Sequence, residues 1–160
     1  MLSASVRTMT EALTYDDDTA FALMDGAATV NRIVRTTPTE RLREKRFGEW
    51  SAVQVIGHLA DTADVFAERV RRAVEEDAPR LPAIAGGTGA DPDADPVSLA
   101  KRLLASHQRI ATALQDPAAR HRPAIHGEWG RVTAGHLAAY QADHTTEHVA
   151  ELAAAFPPGA

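Results

Sequence analysis

The chain has 160 residues, with 17 Lys and Arg against 22 Asp and Glu for a formal charge of -5, and it is 44% hydrophobic but only 5% aromatic. A chain of about 150 residues buries roughly two-thirds of its unfolded surface, so one self-sufficient domain over 1–160, with a core from about 18 to 156, is expected and extensive disorder is excluded. The acidic balance lacks a Lys/Arg-dense run and argues against nucleic acid. The absence of cysteine excludes disulfides, a thiolate nucleophile and Cys-bound zinc or iron–sulfur sites.

The opening residues, with Ser3, Ser5, Arg7, Thr8 and Thr10, lack the apolar stretch of a signal peptide. No apolar run approaches the roughly 20 residues that cross a bilayer. A cytoplasmic protein with no membrane partner is expected. The first helix is predicted from about Asp18 to Thr36, with Phe21, Met24, Ala28, Val30 and Ile33 mostly on one side. Asp16, Asp17 and Asp18 stand where a helix N-terminus favours negative charge. They lack the alternating ligands and glycine of a calcium loop, so capping is the stronger reading. Pro38 restrains the chain, and Thr39 to Gly48 is predicted as a charged connector with at most one short turn.

Trp50-Ser51 opens the second helix, because Ser51 followed by Gln54 matches a capping box. Val55, Leu59, Thr62, Phe66 and Val70 form its inner face. Arg69, Arg71, Arg72, Glu75 and Glu76 mark a wetter end, with the helix closing near Asp77. Pro79 to Pro96 reads as a long loop. Its run Gly86-Gly87-Thr88-Gly89 has no Walker lysine, no G-x-G-x-x-G spacing and no clear preceding strand, so a connector is expected rather than a phosphate cradle. Asp95-Pro96 is a cap and first-turn pair for a third helix through Leu99, Leu103, Ile110 and Leu114, closed by Asp116-Pro117.

A connector carrying His121, Pro123, His126 and Gly130 follows. Thr133 then caps a last helix, with Val132 and Leu137 at hydrophobic-staple positions and Pro157-Pro158-Gly159 as its stop. Its inward stripe is Leu137, Tyr140, His144, His148 and Leu152. Four long helices with little period-two alternation predict an all-α four-helix bundle.

His144 and His148, four residues apart, present both imidazoles on one helix face within reach of a single ion. In His144-Thr145-Thr146-Glu147-His148 the glutamate stands beside the second histidine, so this is not the zincin protease pattern. His58, in Gly57-His58-Leu59-Ala60-Asp61, borders the inner stripe of the second helix. If the second and fourth helices face each other, His58, His144 and His148 form a three-nitrogen site with positions left for water or substrate. On spacing alone, three histidines satisfied in the core or turned to solvent is the stronger reading. Neutral imidazoles would otherwise suit zinc, nickel, copper or iron.

These residues carry a family resemblance. Trp50-Ser51 precedes a helix bearing Gly57-His58-Leu59-Ala60-Asp61, and Gly130-Arg131-Val132-Thr133 precedes one bearing His144 and His148. In order and spacing the chain resembles the DinB-like/YfiT-like superfamily of metal-dependent enzymes over about Asp18 to Phe156. The resemblance implies an up-down-down-up four-helix bundle and a homodimer. It also implies one divalent ion per chain, zinc or nickel, held by His58, His144 and His148. The superfamily includes mycothiol-dependent maleylpyruvate isomerases and bacillithiol S-transferases, in which the metal is thought to activate a low-molecular-weight thiol. A metal-dependent enzyme acting on a small molecule is therefore expected, as a thiol S-transferase or as a hydrolase using metal-bound water. The alternative is a non-catalytic metal- or small-molecule-binding module in a stress response.

Asp61, Glu147 and Glu151 each follow one of the three histidines by three residues, so each could reach an outer shell or a bound water. Solvated carboxylates are the plain reading for all three. Asp61 is the first choice for a base or orienter and Glu147 the second, while many relatives carry Gln at the position of Glu151. Trp50 and Trp129 are expected as core plugs that could also wall a pocket. His126 and Glu128 flank the turn at Trp129. His136 is expected as a non-ligand near the pocket mouth, and His107 and His121 as surface residues.

Overall fold

The computed structural model describes residues 13–83 and 91–159. The opening residues Ser3 to Thr10 and the run Gly86-Gly87-Thr88-Gly89 lie outside them. Four long helices form as expected: α1 (Asp17–Thr36), α3 (Ala52–Glu75), α4 (Pro96–Ala113) and α5 (Ala134–Ala155), with a short α2 (Thr39–Leu42) after Pro38.

Their starts are set by side chains that satisfy orphan backbone N–H groups. Asp16 and Thr19 make a capping box for α1, and Ser51 and Gln54 make another for α3. Asp95 accepts from the Ser98 N–H with Pro96 in the first turn, and Thr133 accepts from the His136 N–H. Helix α3 ends at Glu75, just short of the expected Asp77.

The principal packing places α1 against α4 and α5, and α3 against the same two. Going round the bundle the order is thus α1, α4, α3, α5, and the facing of α3 and α5 that the three-nitrogen site requires is met. The core falls into two apolar clusters. One contains Val30, Ile33, Leu59, Leu103 and Leu152. The other contains Leu23, Phe66, Val70, Ile110 and Leu137.

Three sequence expectations need correction. Phe21 is 69% exposed and Ala28 also faces solvent, whereas the buried face of α1 is Leu23, Gly26, Ala27, Val30, Ile33 and Val34. The small residues at the α1–α5 contact carry this phase, and an apolarity pattern gives them little weight. Second, the connectors contain strands. β1 (Lys45–Phe47) and β2 (Trp50–Ser51) form an antiparallel pair, while β4 (Pro123–His126) pairs in parallel with β3 (Arg80–Leu81) and antiparallel with β5 (Gly130–Thr133). Segments this short show no alternation to read. Glycines at positive φ, Gly48 at 66° and Gly130 at 71°, occupy the turns between β1 and β2 and at the start of β5.

Third, His107 is fully buried, not at the surface. Its Nδ1 donates to the Leu23 carbonyl at 2.7 Å and its Nε2 lies 3.1 Å from the Gln141 amide nitrogen, so one ring bridges α4 to both α1 and α5. The Gln141 amide also donates to Thr145 Oγ1 at 3.1 Å. His121 is exposed, as expected.

Beside this network α1 and α5 come close at Gly26, where an added Cβ would stand 2.7 Å from Thr145 Cγ2. Thr145 is fully buried and tied by its hydroxyl, so it has little freedom to move aside. Gly26→Val is expected to lower stability by about 1–3 kcal/mol through overpacking, measured as a lower urea midpoint with an unchanged slope. A midpoint equal to wild type would show that the helices separate there without cost.

Candidate metal centre

The capping box fixes where α3 begins, and His58 follows on its face toward α5. The His58 carbonyl accepts from Thr62 Oγ1 at 2.8 Å. On α5, His144 and His148 stand one above the other. One candidate ligand atom from each of the three side chains lies within 4.8 Å of the others. The ring centroids are 5.0 Å apart for His58 and His144, 5.2 Å for His58 and His148, and 4.7 Å for His144 and His148, all edge-on.

Nε2 of His58 lies 3.1 Å from Nε2 of His144. Two nitrogens each about 2.1 Å from one ion lie about 3.0 Å apart at a right angle and about 3.4 Å apart at the tetrahedral angle. The observed separation matches that of co-ligands on one ion and also that of a hydrogen bond between the two rings. Burial and the neighbouring imidazoles of His148 and His58 push the His144 pKa down to about 3. His58 is held below the usual histidine value by burial and by His148, with the Asp61 charge partly opposing. The lone pairs are thus kept free of protons, which is the state in which imidazole binds a cation. A set of three imidazoles fits a divalent ion of the borderline type.

The surroundings sort the other candidates. Trp50 belongs to the apolar packing and also walls the site, its ring 5.6 Å from that of His58. Asp61 is exposed, and its carboxylate accepts from Arg102 at 2.8 Å; Arg102 also holds Asp64 at 2.6 Å. Glu147 and Glu151 are half-buried and accept no hydrogen bond among the described residues. The Nδ1 atoms of His144 and His148 are buried without a partner, so the outer-shell acceptor that usually orients a metal-bound histidine is absent among the described residues.

His136 is buried, its Nδ1 accepts from the Leu13 backbone N–H at 2.8 Å, and it stands edge-on to Trp129 at 5.7 Å. His126 stacks flat on Trp129 at 4.1 Å. Both lie away from the three converging rings.

Tyr140 belongs to the site although the sequence singled it out only as part of the inward stripe. Its ring lies parallel to that of His144 at 6.4 Å, packs on Phe66 at 5.2 Å and meets Trp129 at 4.6 Å. The signal was its position four residues before His144, which extends the ladder Tyr140, His144, His148 along one face. Burial first, then the charges of Glu147 and Glu128, raise the phenol pKa, so the hydroxyl keeps its proton near neutrality.

The family model of the DinB superfamily matches residues 22–152, a stretch that includes His58, His144 and His148. The chain belongs to the DinB superfamily. The fold is similar to that of YfiT from Bacillus subtilis, described as a probable metal-dependent hydrolase with an unusual four-helix bundle topology. That likeness has a TM-score of 0.67 at 21% identity and covers 87% of this chain and 86% of the other. No curated protein matches the chain significantly. No helix among the described residues is long and apolar enough to cross a membrane.

Proposed function

We propose that this DinB-superfamily chain is a metal-dependent enzyme acting on a small molecule, with His58, His144 and His148 holding one divalent ion. The observation that carries the reading is the convergence of three imidazoles from two facing helices. Zinc or nickel suits three nitrogen ligands. When bound there, the ion supplies Lewis acidity toward a ligand oxygen or sulfur.

The chain's own groups divide the remaining work. Glu147, half-buried and unpaired, is placed to accept a proton from a water or thiol brought to the site. Tyr140 keeps its proton and is placed to donate a hydrogen bond. Asp61, engaged by Arg102, acts on His58 through its charge rather than as the base. Trp50 shields one side from water. This machinery serves hydrolysis, or S-transfer from a low-molecular-weight thiol, in a cytoplasmic homodimer.

The test is a screen of zinc- and nickel-loaded protein against ester and amide substrates, and against electrophiles with added thiols. A substrate-dependent rate that His144→Ala abolishes, and that Glu147→Gln lowers about 100-fold as expected for a general base, supports the reading. Stoichiometric metal without turnover in any arm would turn it toward a binding module.

A further inference from the structure

Arg69 lies on α3 three turns beyond His58, at the end expected to be wet, yet it is only 7% exposed. Its Nη2 donates to the Pro82 carbonyl, and its Nη1 is buried with no acceptor. No acidic side chain among the described residues forms an ion pair with it, although Asp64 and Glu68 line the same surface pocket, and after burial the charge that lowers its pKa is that of Arg72, another cation. Burying a guanidinium without a counter-charge is strongly unfavourable.

Two more unfilled donors belong to the strand pair whose edge Arg69 reaches at Pro82. His126 pairs across the sheet with Leu81, the residue before Pro82. Its Nδ1 accepts the backbone N–H groups of Glu128 at 3.0 Å and Trp129 at 3.2 Å. The proton of the neutral ring is therefore on Nε2, which is buried without an acceptor. The indole Nε1–H of Trp129, stacked on that ring, is likewise buried and unpartnered. The Arg69 charge is felt at His126, which places the guanidinium within electrostatic reach of the stacked pair.

We propose that Arg69, His126 and Trp129 form a binding site for a small oxyanion, the carboxylate or phosphate group of a ligand. A water molecule offers two lone pairs and no charge. An oxyanion offers several lone pairs together with the counter-charge that Arg69 lacks.

The site is continuous with the metal centre through a wall of rings, Trp129 to Tyr140 at 4.6 Å and Tyr140 to His144 at 6.4 Å. Arg69 and His58 are separated by about 16 Å of helix rise. On the proposed function above, the anion is thus the remote end of an elongated acidic substrate whose reacting end is at the histidines. The anion site itself does not depend on that reading.

The experiment follows the indole N–H resonances of Trp129 and Trp50 in 15N-labelled protein during titration with sodium acetate or inorganic phosphate, at ionic strength held constant with chloride. The expected result is a saturable shift of Trp129 with Trp50 unmoved, the tighter-binding anion naming the group. Arg69→Met is expected to raise the half-saturation concentration by about tenfold or more, the loss of one charge-assisted hydrogen bond. Arg69→Gln serves in its place if the methionine variant does not fold. An unmoved Trp129 resonance with both anions, or the same titration curve in the Arg69 variant, overturns the proposal. His144→Ala separates the two readings: an unchanged Trp129 response holds the anion site whatever becomes of the metal centre, and a lost response would place the anion at the histidines and overturn it.

Discussion

Tag-free wild-type protein is expected to carry about one divalent ion per chain, the ratio set by one three-nitrogen site, and His58→Ala/His144→Ala to carry none while remaining folded. The double variant leaves His148 as the sole imidazole of the cluster, and a single ligand does not hold an ion against dialysis. Its fold should survive because both side chains are only partly buried and His144 Nδ1 has no partner to lose. The ion binds the native state alone, so at free metal about 1,000 times the dissociation constant it stabilises by about 4 kcal/mol. For a chain of this length that corresponds to a melting shift of about 8–16 °C. Mass spectrometry for metal content and melting before and after chelation check both halves. Wild type that purifies free of metal and is not stabilised by added zinc or nickel would remove the metal centre from this protein.

The helix starts were legible because capping is local: Asp16 with Thr19, Ser51 with Gln54 and Asp95 with Ser98 are each complete within one turn of sequence. The histidine cluster was half legible. The spacing of His144 and His148 fixed their shared face, but bringing His58 to them depended on which helices adjoin, and the bundle order decides that. What escaped was polar and non-local. His107 sits between Ser106 and Gln108 and looks like a surface residue, yet its partners are a carbonyl on α1 and an amide on α5. Arg69 stands among charged neighbours, yet it is buried and donates to the carbonyl of Pro82, beyond the end of its own helix. In both cases burial is set by residues distant in sequence, and periodicity cannot report them.

That buried polar content has a consequence for acid stability. His58, His107, His126, His136 and His144 are all held below the usual histidine pKa, with burial the first cause for each. In the unfolded chain the same rings titrate near 6.5. The native state therefore binds fewer protons than the unfolded state below that value. The stability these rings contribute is complete above about pH 6.5 and is lost as the pH falls toward their folded values. For His144, whose folded value is about 3, the loss from pH 6.5 to pH 5 is about 2 kcal/mol. His107, fully buried in its network, adds to it. Against a typical total of about 5–15 kcal/mol, metal-free protein is expected to lose a substantial part of its stability by pH 5. Urea unfolding of metal-free wild type at pH 7.5, 6 and 5 measures this, and His144→Ala should show a shallower decline. An unfolding free energy independent of pH over that range would mean that the histidines are not held neutral by the fold. It would also take away the reason for expecting them to be ready for a metal ion. The metal-loaded protein should decline more steeply over the same interval, because protons then compete with the ion for three nitrogens at once.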